Sequence, residues 1–333
     1  MEAVCQALAE HRNRLLALEN VVGVGYGYKT VGGESTGEPA ITVMVKKKLR
    51  VKSLTSGQVV PKRLNRVATD VIETGEFKLL YRTERMRPAK PGVSIGHYRV
   101  TAGTFGALVR DARTGEVLIL SNNHVLANIT DGTDHRVRIG DSIWQPGKYD
   151  GGSEEDSIAR LTRFVPLYRP LSRNTCGIAR KVEGFVNSLL RLLTGGYEVR
   201  FLKLDARVNL VDAAVARPIK DEWVSPEILG IGEVKGTVEP ELGMAVKKSG
   251  RTSGITTGEI IVLDAAIKVM MGDIGSAMFH EQVVTTPMAE PGDSGSLIVT
   301  ENNQAVALLA AGSEQASLGG TIQNVTRLLN IRF

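Results

Sequence analysis

Ser294 has the sequence setting of a nucleophile in this chain of 333 residues. It lies in PGDSGSLIVT (291–300), where a Gly-Asp-Ser-Gly tetrapeptide leads into an apolar strand. By itself such a tetrapeptide favours an ordinary type I or II turn. A nucleophilic serine also needs a base within hydrogen-bond reach and an acid that orients the base. The rest of the chain must therefore be searched for these two partners.

His124 is the best candidate for the base. It follows an apolar strand in LILSNNHVLA, and the small polar residues before it leave room for the ring to face a cleft. A lone histidine at a strand end is more often a hydrogen-bonded core residue, so this reading depends on the other partners. The other four histidines have helical, charged or loop settings and are expected to be structural or at the surface: His11, His97, His135 and His280.

Asp212 is the best candidate for the orienting acid. It follows an apolar run in NLVDAAVARP, where it would be buried, and a buried carboxylate needs a partner. Asp156, in EEDSIARL, has acidic neighbours and is expected to be solvated. Asp141 and Asp205 are further candidates between His124 and Ser294. The sequence favours Asp212.

The order His124, Asp212, Ser294 resembles that of the chymotrypsin-fold (trypsin-like) serine endopeptidases. SNNHVL is similar to their strand-end histidine motif, DAAVA to their Asp-x-Ala motif and GDSGS to their nucleophile motif. A fourth stretch, VKKSGRTSGITTGEI (246–260), resembles a segment of the bacterial lytic endopeptidases. Two further segments resemble those of the bacterial branch related to the plant NARROW LEAF peptidases: VVGVGYGYK and GTFGALVRD…LSNNHVLA.

The resemblance implies roles for the remaining residues of the site. The backbone N–H groups of Gly292 and Ser294 would form an oxyanion hole. Asp293 would pair with Arg251 of the Ser-Gly-Arg stretch, which would hold the oxyanion loop without a newly released N-terminus.

The resemblance also implies where the substrate pocket lies. Met288 would form its base, six residues before Ser294, and Ala310, Ala311 and Gly312 its wall. Such a pocket suggests an apolar or small residue at the cleaved position and disfavours Lys or Arg.

These residues require a mainly β fold. Short apolar runs punctuated by glycine predict strands. With the resemblance they imply a chymotrypsin-like double barrel of two six-stranded antiparallel β-barrels. We expect an N-terminal α+β module at 1–80, a linker at 81–92 and the peptidase domain at 93–333. A helical insertion, whose apolar residues recur at three and four, is predicted at about 174–196.

Composition narrows the possible partners. The net charge is +5, but Lys and Arg are scattered, so no nucleic-acid partner is expected. Neither a signal-peptide core nor a membrane span is evident, which predicts a cytoplasmic protein with no membrane partner. Cys5 and Cys176 share no pattern, and with no metal-ligand cluster or phosphate-binding loop we expect neither metal nor cofactor.

Two functions are compatible with these patterns. The first is a serine endopeptidase that hydrolyses protein or peptide substrates through an acyl-enzyme. The second is a catalytically silent peptidase-fold protein that acts as a binding or assembly scaffold. Either could form a homo-oligomer through the N-terminal module or the inserted helix.

Overall fold

The computed structural model describes most of the chain, and the chain divides into two compact units, 1–80 and 81–333. The described residues are 2–49, 52, 54, 58–75, 82–169, 171–173, 176–193, 196–204, 207–271 and 275–333. Side chains are not described at 171–173 and 203–204. Within the described part, no helix combines the length and apolar character needed to span a membrane.

The smaller unit is a helix packed on a four-stranded sheet of order β1-β2-β4-β3. The elements are α1 (Glu2–Leu16), β1 (Val21–Val31), β2 (Glu34–Val45), β3 (Arg63–Leu64) and β4 (Val67–Glu73). Gly32 and Gly33 join β1 to β2 with φ of 63° and 90°, which is the backbone that a two-residue hairpin turn requires. Four α1 side chains at helical spacing are buried in one cluster with the inward residues of β2: Val4, Ala7, Leu8 and Leu15.

The larger unit begins with a sheet of eight strands, in the order β20-β7-β8-β13-β10-β9-β5-β6. Its strands are β5 (Ser94–His97), β6 (Gly103–Thr104), β7 (Ala107–Asp111), β8 (Val117–Ser121), β9 (Ser142–Trp144), β10 (Ser157–Phe164), β13 (Ala214–Pro218) and β20 (Ile331–Arg332). The short helix α2 (Asn123–Leu126) follows β8. The two-residue strands β20 and β6 lie at the two edges of this barrel-like sheet, outside its six longer strands.

The second half of this unit is a closed barrel of six strands. Its strands are β14 (Ala245–Gly250), β15 (Gly254–Met270), β16 (Ser276–Thr285), β17 (Leu297–Thr300), β18 (Ala305–Gly312) and β19 (Ser317–Thr321). Helix α4 (Ile322–Leu329) follows, with Thr321 as its N-cap. The predicted fold class, mainly β with two barrels, is confirmed.

Alternation along the strands explains how the two barrels share a core. Ile119 of β8 faces the interior of the first sheet, whereas Leu118 and Leu120 face a second cluster. That second cluster also contains Leu297 and Leu308 of the second barrel. Because successive side chains of a strand point to opposite faces, β8 contributes to both clusters at once. The two barrels are therefore joined by a continuous apolar layer.

An insertion separates β10 from β13. It contains β11 (Leu171–Arg173), α3 (Gly177–Leu193) and β12 (Leu202–Leu204), with β11 and β12 paired in antiparallel register. The helix was expected over 174–196; of its flanks, 174–175 and 194–195 lie outside the described residues.

The interpretation of 81–92 as a linker needs correction. Residue 81 is outside the described residues, but Arg82 is buried and donates to the carbonyl of Gly92 and the hydroxyl of Ser249. Ala89 is also buried and exchanges backbone hydrogen bonds with Trp223 and Ser225. Arginine and proline suggested solvent exposure, but residues 82–92 pack onto the barrels.

Candidate active site

Strand register brings Asp212 to His124. β8 and β13 pair antiparallel with Ala214 opposite Ser121, so the two residues before β13 lie beside those after β8. The ring nitrogen Nδ1 of His124 is 2.5 Å from one carboxylate oxygen of Asp212. The backbone N–H of His124 donates to the other carboxylate oxygen at 3.1 Å. The Asn122 side chain donates to the Asp212 carbonyl at 2.7 Å. The aspartate is thus held against both the ring and the backbone of His124.

The electrostatics of this pair favour the charged ring. Burial lowers the pKa of His124, but the charge and hydrogen bond of Asp212 outweigh it, so the pKa is raised above its ordinary value. Asp212 is 4% exposed. A carboxylate in this position fixes the ring with Nε2 free for a proton from another group.

Ser294 lies in the turn between β16 and β17, against the first sheet. Its carbonyl accepts from the N–H of Thr104 at 2.8 Å, and the Thr104 hydroxyl donates to the carbonyl of Gly292 at 2.9 Å. A Cβ at Gly103 would touch both the Val125 side chain and the Ser294 carbonyl, so Ser294 lies close to α2. The Ser294 hydroxyl donates to the Ala310 carbonyl at 3.2 Å, and none of the hydrogen bonds among the described residues joins it to His124.

The loop before Ser294 presents two N–H groups. Gly292 has a φ of +102°, a conformation that favours glycine. In the described part of the chain, the N–H groups of Gly292 and Ser294 have no hydrogen-bond acceptor, whereas those of Asp293 and Gly295 do. Two free donors beside a serine hydroxyl are what an oxyanion hole requires.

Asp293 is fully buried and pairs with Lys248. The Lys248 ammonium, also 0% exposed, is 2.7 Å from Asp293 and contacts the Ser253 hydroxyl as well. Asp293 accepts further hydrogen bonds from the N–H groups of Thr252, Ser253 and Glu290. Burial raises the pKa of Asp293, but Lys248 and the hydrogen bonds outweigh it and hold the pKa low. Burial also lowers the pKa of Lys248, with Asp293 opposing this effect.

The predicted partner of Asp293 was therefore wrong. Arg251 instead pairs with Asp150, in the turn between β9 and β10 of the first sheet, through two N···O contacts of 2.5 Å. The Arg251 side chain still lies against the oxyanion loop, because a Cβ at Gly292 would collide with it. Its backbone N–H donates to Thr104. Arg251 thus joins the two barrels beside the loop, while Lys248 holds Asp293.

Sequence reasoning missed Lys248, Asp150, Thr104 and Asn122. The burial of Lys248 could have been predicted from strand alternation. Val246 points into the barrel, and Lys248, two positions later on the same strand, lies on the same side. For Asp150 there was no such signal, since a turn 101 residues before Arg251 is brought near only by the fold.

A cavity of about 400 Å³ adjoins Ser294. Its walls include Ala289, Leu309, Ala311 and Gly312, so two of the predicted pocket residues line it. Two carboxylates, Glu290 and Glu314, also line it. Ala310 is outside this lining and contributes instead its carbonyl, the acceptor of the Ser294 hydroxyl.

The prediction for Met288 needs correction. Its side chain is 3% exposed and packs in the interior of the second barrel with Val246, Ile260 and Val283. The cavity wall at this point is formed by Ala289. Met288 thus lies in the segment that adjoins the cavity, but the side chain that lines the cavity belongs to the next residue.

Short parts of this sequence are similar to two bacterial proteins. It is 39% identical to Streptogrisin-D of Streptomyces griseus over 80 residues, which are 24% of this chain and 19% of that protein. It is 33% identical to Serine protease 2 of Streptomyces fradiae over 89 residues, 27% of this chain and 48% of that protein. The chain thus spans less than half the length of either relative. No family model matches the sequence.

Among solved structures, the Nocardiopsis protease NAPase aligns over 73% of this chain and 98% of its own length, with 16% identity and a TM-score of 0.45. The relatives are bacterial serine proteases of the chymotrypsin fold. The mainly β fold of this chain is shown by its own strands and their pairing.

Proposed function

We propose that this protein is a serine endopeptidase and that His124, Asp212 and Ser294 are its catalytic residues. The observation that carries the proposal is the Asp212 carboxylate, which binds His124 at both ring and backbone beside the Ser294 turn. The similarity to bacterial serine proteases supports it. We also propose that the chain belongs to the bacterial branch related to the plant NARROW LEAF peptidases.

In this mechanism the Ser294 hydroxyl turns from Ala310 towards His124 Nε2 when substrate binds. His124 takes the hydroxyl proton as Ser294 Oγ attacks the peptide carbonyl, and Asp212 stabilises the resulting imidazolium. The N–H groups of Gly292 and Ser294 hold the oxyanion, each worth about 3 kcal/mol. His124 then protonates the leaving amine, and water hydrolyses the acyl-enzyme by the reverse proton path.

The cavity beside Ser294 favours a basic residue at the cleaved position, which revises the preference expected from the sequence. Its apolar wall suits the aliphatic part of Lys or Arg, and Glu290 and Glu314 suit the charged end. In the described residues neither carboxylate has an ion-pair partner. Peptide substrates that differ only in Arg, Lys or Ala at this position would measure the preference, with Glu314→Gln reducing it.

A fluorophosphonate probe tests the main proposal. The probe is expected to label the folded protein, and Ser294→Ala is expected to abolish labelling. Ser313→Ala is a matched control, because this second serine lines the same cavity but has no part in the mechanism. Failure to label a folded wild-type protein would contradict the proposal and favour a binding or scaffold role.

A further inference from the structure

Helix α3 exposes a stripe of large apolar side chains. These side chains follow one another at spacings of four or three residues, and the last two are adjacent in sequence. At 100° per residue they lie on an arc of roughly 100° around the helix. They are Ile178 (76% exposed), Val182 (44%), Phe185 (72%), Leu189 (48%), Leu192 (84%) and Leu193 (70%). A stripe of this size, with no polar residue within it, is a surface for apolar contact.

The other face of the helix is hydrogen-bonded to the segment that follows it in the chain. The buried Asn187 donates to the carbonyl of Val199 at 2.8 Å and accepts from the N–H of Val199 at 2.7 Å. Glu183 accepts from the N–H of Phe201 at 3.0 Å. On the helix, Asn187 lies roughly 180° from Ile178. Polar contacts therefore hold the helix while its apolar stripe points outwards.

The insertion that carries α3 is strongly basic. Residues 169–207 contain eight Lys and Arg against three Asp and Glu, a net charge of +5 that equals the net charge of the whole chain. Arg180, Lys181 and Arg191 are exposed on α3 itself. A second copy of the chain would bring the same positive charge to the contact, whereas an anionic partner would be attracted.

We propose that α3 is a membrane-surface anchor that lies in the interface of an anionic lipid bilayer. The apolar stripe would enter the boundary of headgroups and acyl chains, with Lys181 at the edge of the stripe in reach of the anionic headgroups and the other basic residues of the insertion adding attraction at longer range. The sequence argued against a membrane partner only because it has no spanning segment, and a helix in the interface plane needs none.

Vesicle flotation with the full chain tests this anchor. We expect binding to phosphatidylcholine vesicles that contain phosphatidylserine, weaker binding to phosphatidylcholine alone, and release as ionic strength rises. Phe185→Glu should weaken binding about tenfold or more, because it places a charge in the stripe. Leu242→Glu is the matched control: this side chain is 67% exposed, lies outside the insertion and should leave binding unchanged.

Several outcomes would overturn the anchor. Absence of binding to anionic vesicles, or equal binding by Phe185→Glu and wild type, would reject it. Light scattering that shows a wild-type dimer converted to monomer by Phe185→Glu would instead assign the stripe to a second copy. Circular dichroism of each variant verifies folding, and Arg180→Gln with Lys181→Gln tests the charge contribution without altering the stripe.

Discussion

The contact between His124 and Asp212 gives the proposed reaction a defined acid limit. His124 can accept a proton only when neutral, and Asp212 raises its pKa above the ordinary value of 6.5. Activity should therefore rise with pH, reach half its maximum above pH 6.5, and fall as acidification charges the ring. A pH profile of peptide hydrolysis measures this, and a midpoint below 6.5 would contradict it.

Asp212→Asn supplies the matched test at the same residue. Loss of the carboxylate should lower kcat about ten-thousand-fold, because the ring loses its orientation and its stabilising charge. Asp156→Asn is the control, since Asp156 lies in a capping box with Ser153 and has no contact with His124.

Lys248 should be indispensable to the oxyanion loop. Lys248→Met leaves Asp293 as a buried, uncompensated carboxylate, which should cost about 3–5 kcal/mol of unfolding free energy and slow Ser294 labelling. Lys247→Met is the control on the neighbouring residue, whose ammonium contacts Glu301 at the surface. Denaturant titration and probe kinetics give the two readouts.

A double variant separates charge from packing at this site. If the isolated charge of Asp293 causes the loss, Lys248→Met with Asp293→Asn should recover part of the stability. Recovery of stability without recovery of labelling would show that the ion pair positions the loop. No effect of Lys248→Met on either readout would reject the role assigned to the pair.

At the scale of elements, close backbone contact holds the nucleophile turn. Gly106, just before β7, approaches the carbonyl of Gly295, and a Cβ there would also lie 3.0 Å from the Leu120 carbonyl. Backbone atoms cannot move aside as a flexible side chain can. β7, β8 and the turn are therefore fixed relative to one another by the absence of a side chain.

Gly106→Ala should disturb stability and activity together. We expect a loss of about 1–3 kcal/mol in unfolding free energy from overpacking, and slower labelling of the displaced Ser294. Gly177→Ala, where a Cβ meets no atom within 4 Å, is the control. Thermal unfolding and labelling kinetics would contradict the prediction if both variants behaved alike.

How much the sequence could predict depended on the range of the interaction. Local patterns were sufficient for the strands and for a mainly β chain, because alternation and glycine turns are properties of neighbouring residues, whereas the double-barrel fold class was implied by the family resemblance. The partner of Arg251 depended on where the fold places Asp150, and the position of Met288 on which way one side chain turns at a strand end. Such tertiary choices leave little trace in a single sequence.

At the scale of the whole molecule, the candidate site belongs entirely to the larger unit. The proposed triad, the Lys248–Asp293 pair and the cavity all lie within 81–333. The smaller unit has its own apolar cluster, formed by α1 with residues of β2 and β3. Each unit thus has the core that independent folding requires.

Residues 81–333 should therefore fold alone and label at the rate of the full chain. Circular dichroism and probe kinetics on this shortened protein would check both. Aggregation, or much slower labelling despite a folded barrel, would instead assign residues 1–80 a part in stabilising or activating the site.

The hydrogen bonds of Thr104 have a consequence for the lifetime of such an enzyme. They tie the nucleophile turn to the first sheet, and Arg251 and Asp150 join the barrels beside it. A peptidase constantly meets other copies of itself, and a copy whose barrels separate offers extended chain for cleavage. Because the same contacts position Ser294 and hold the two barrels together, a copy that opens enough to be digested has already lost its own nucleophile geometry. Resistance to self-digestion and catalytic competence should then fail together.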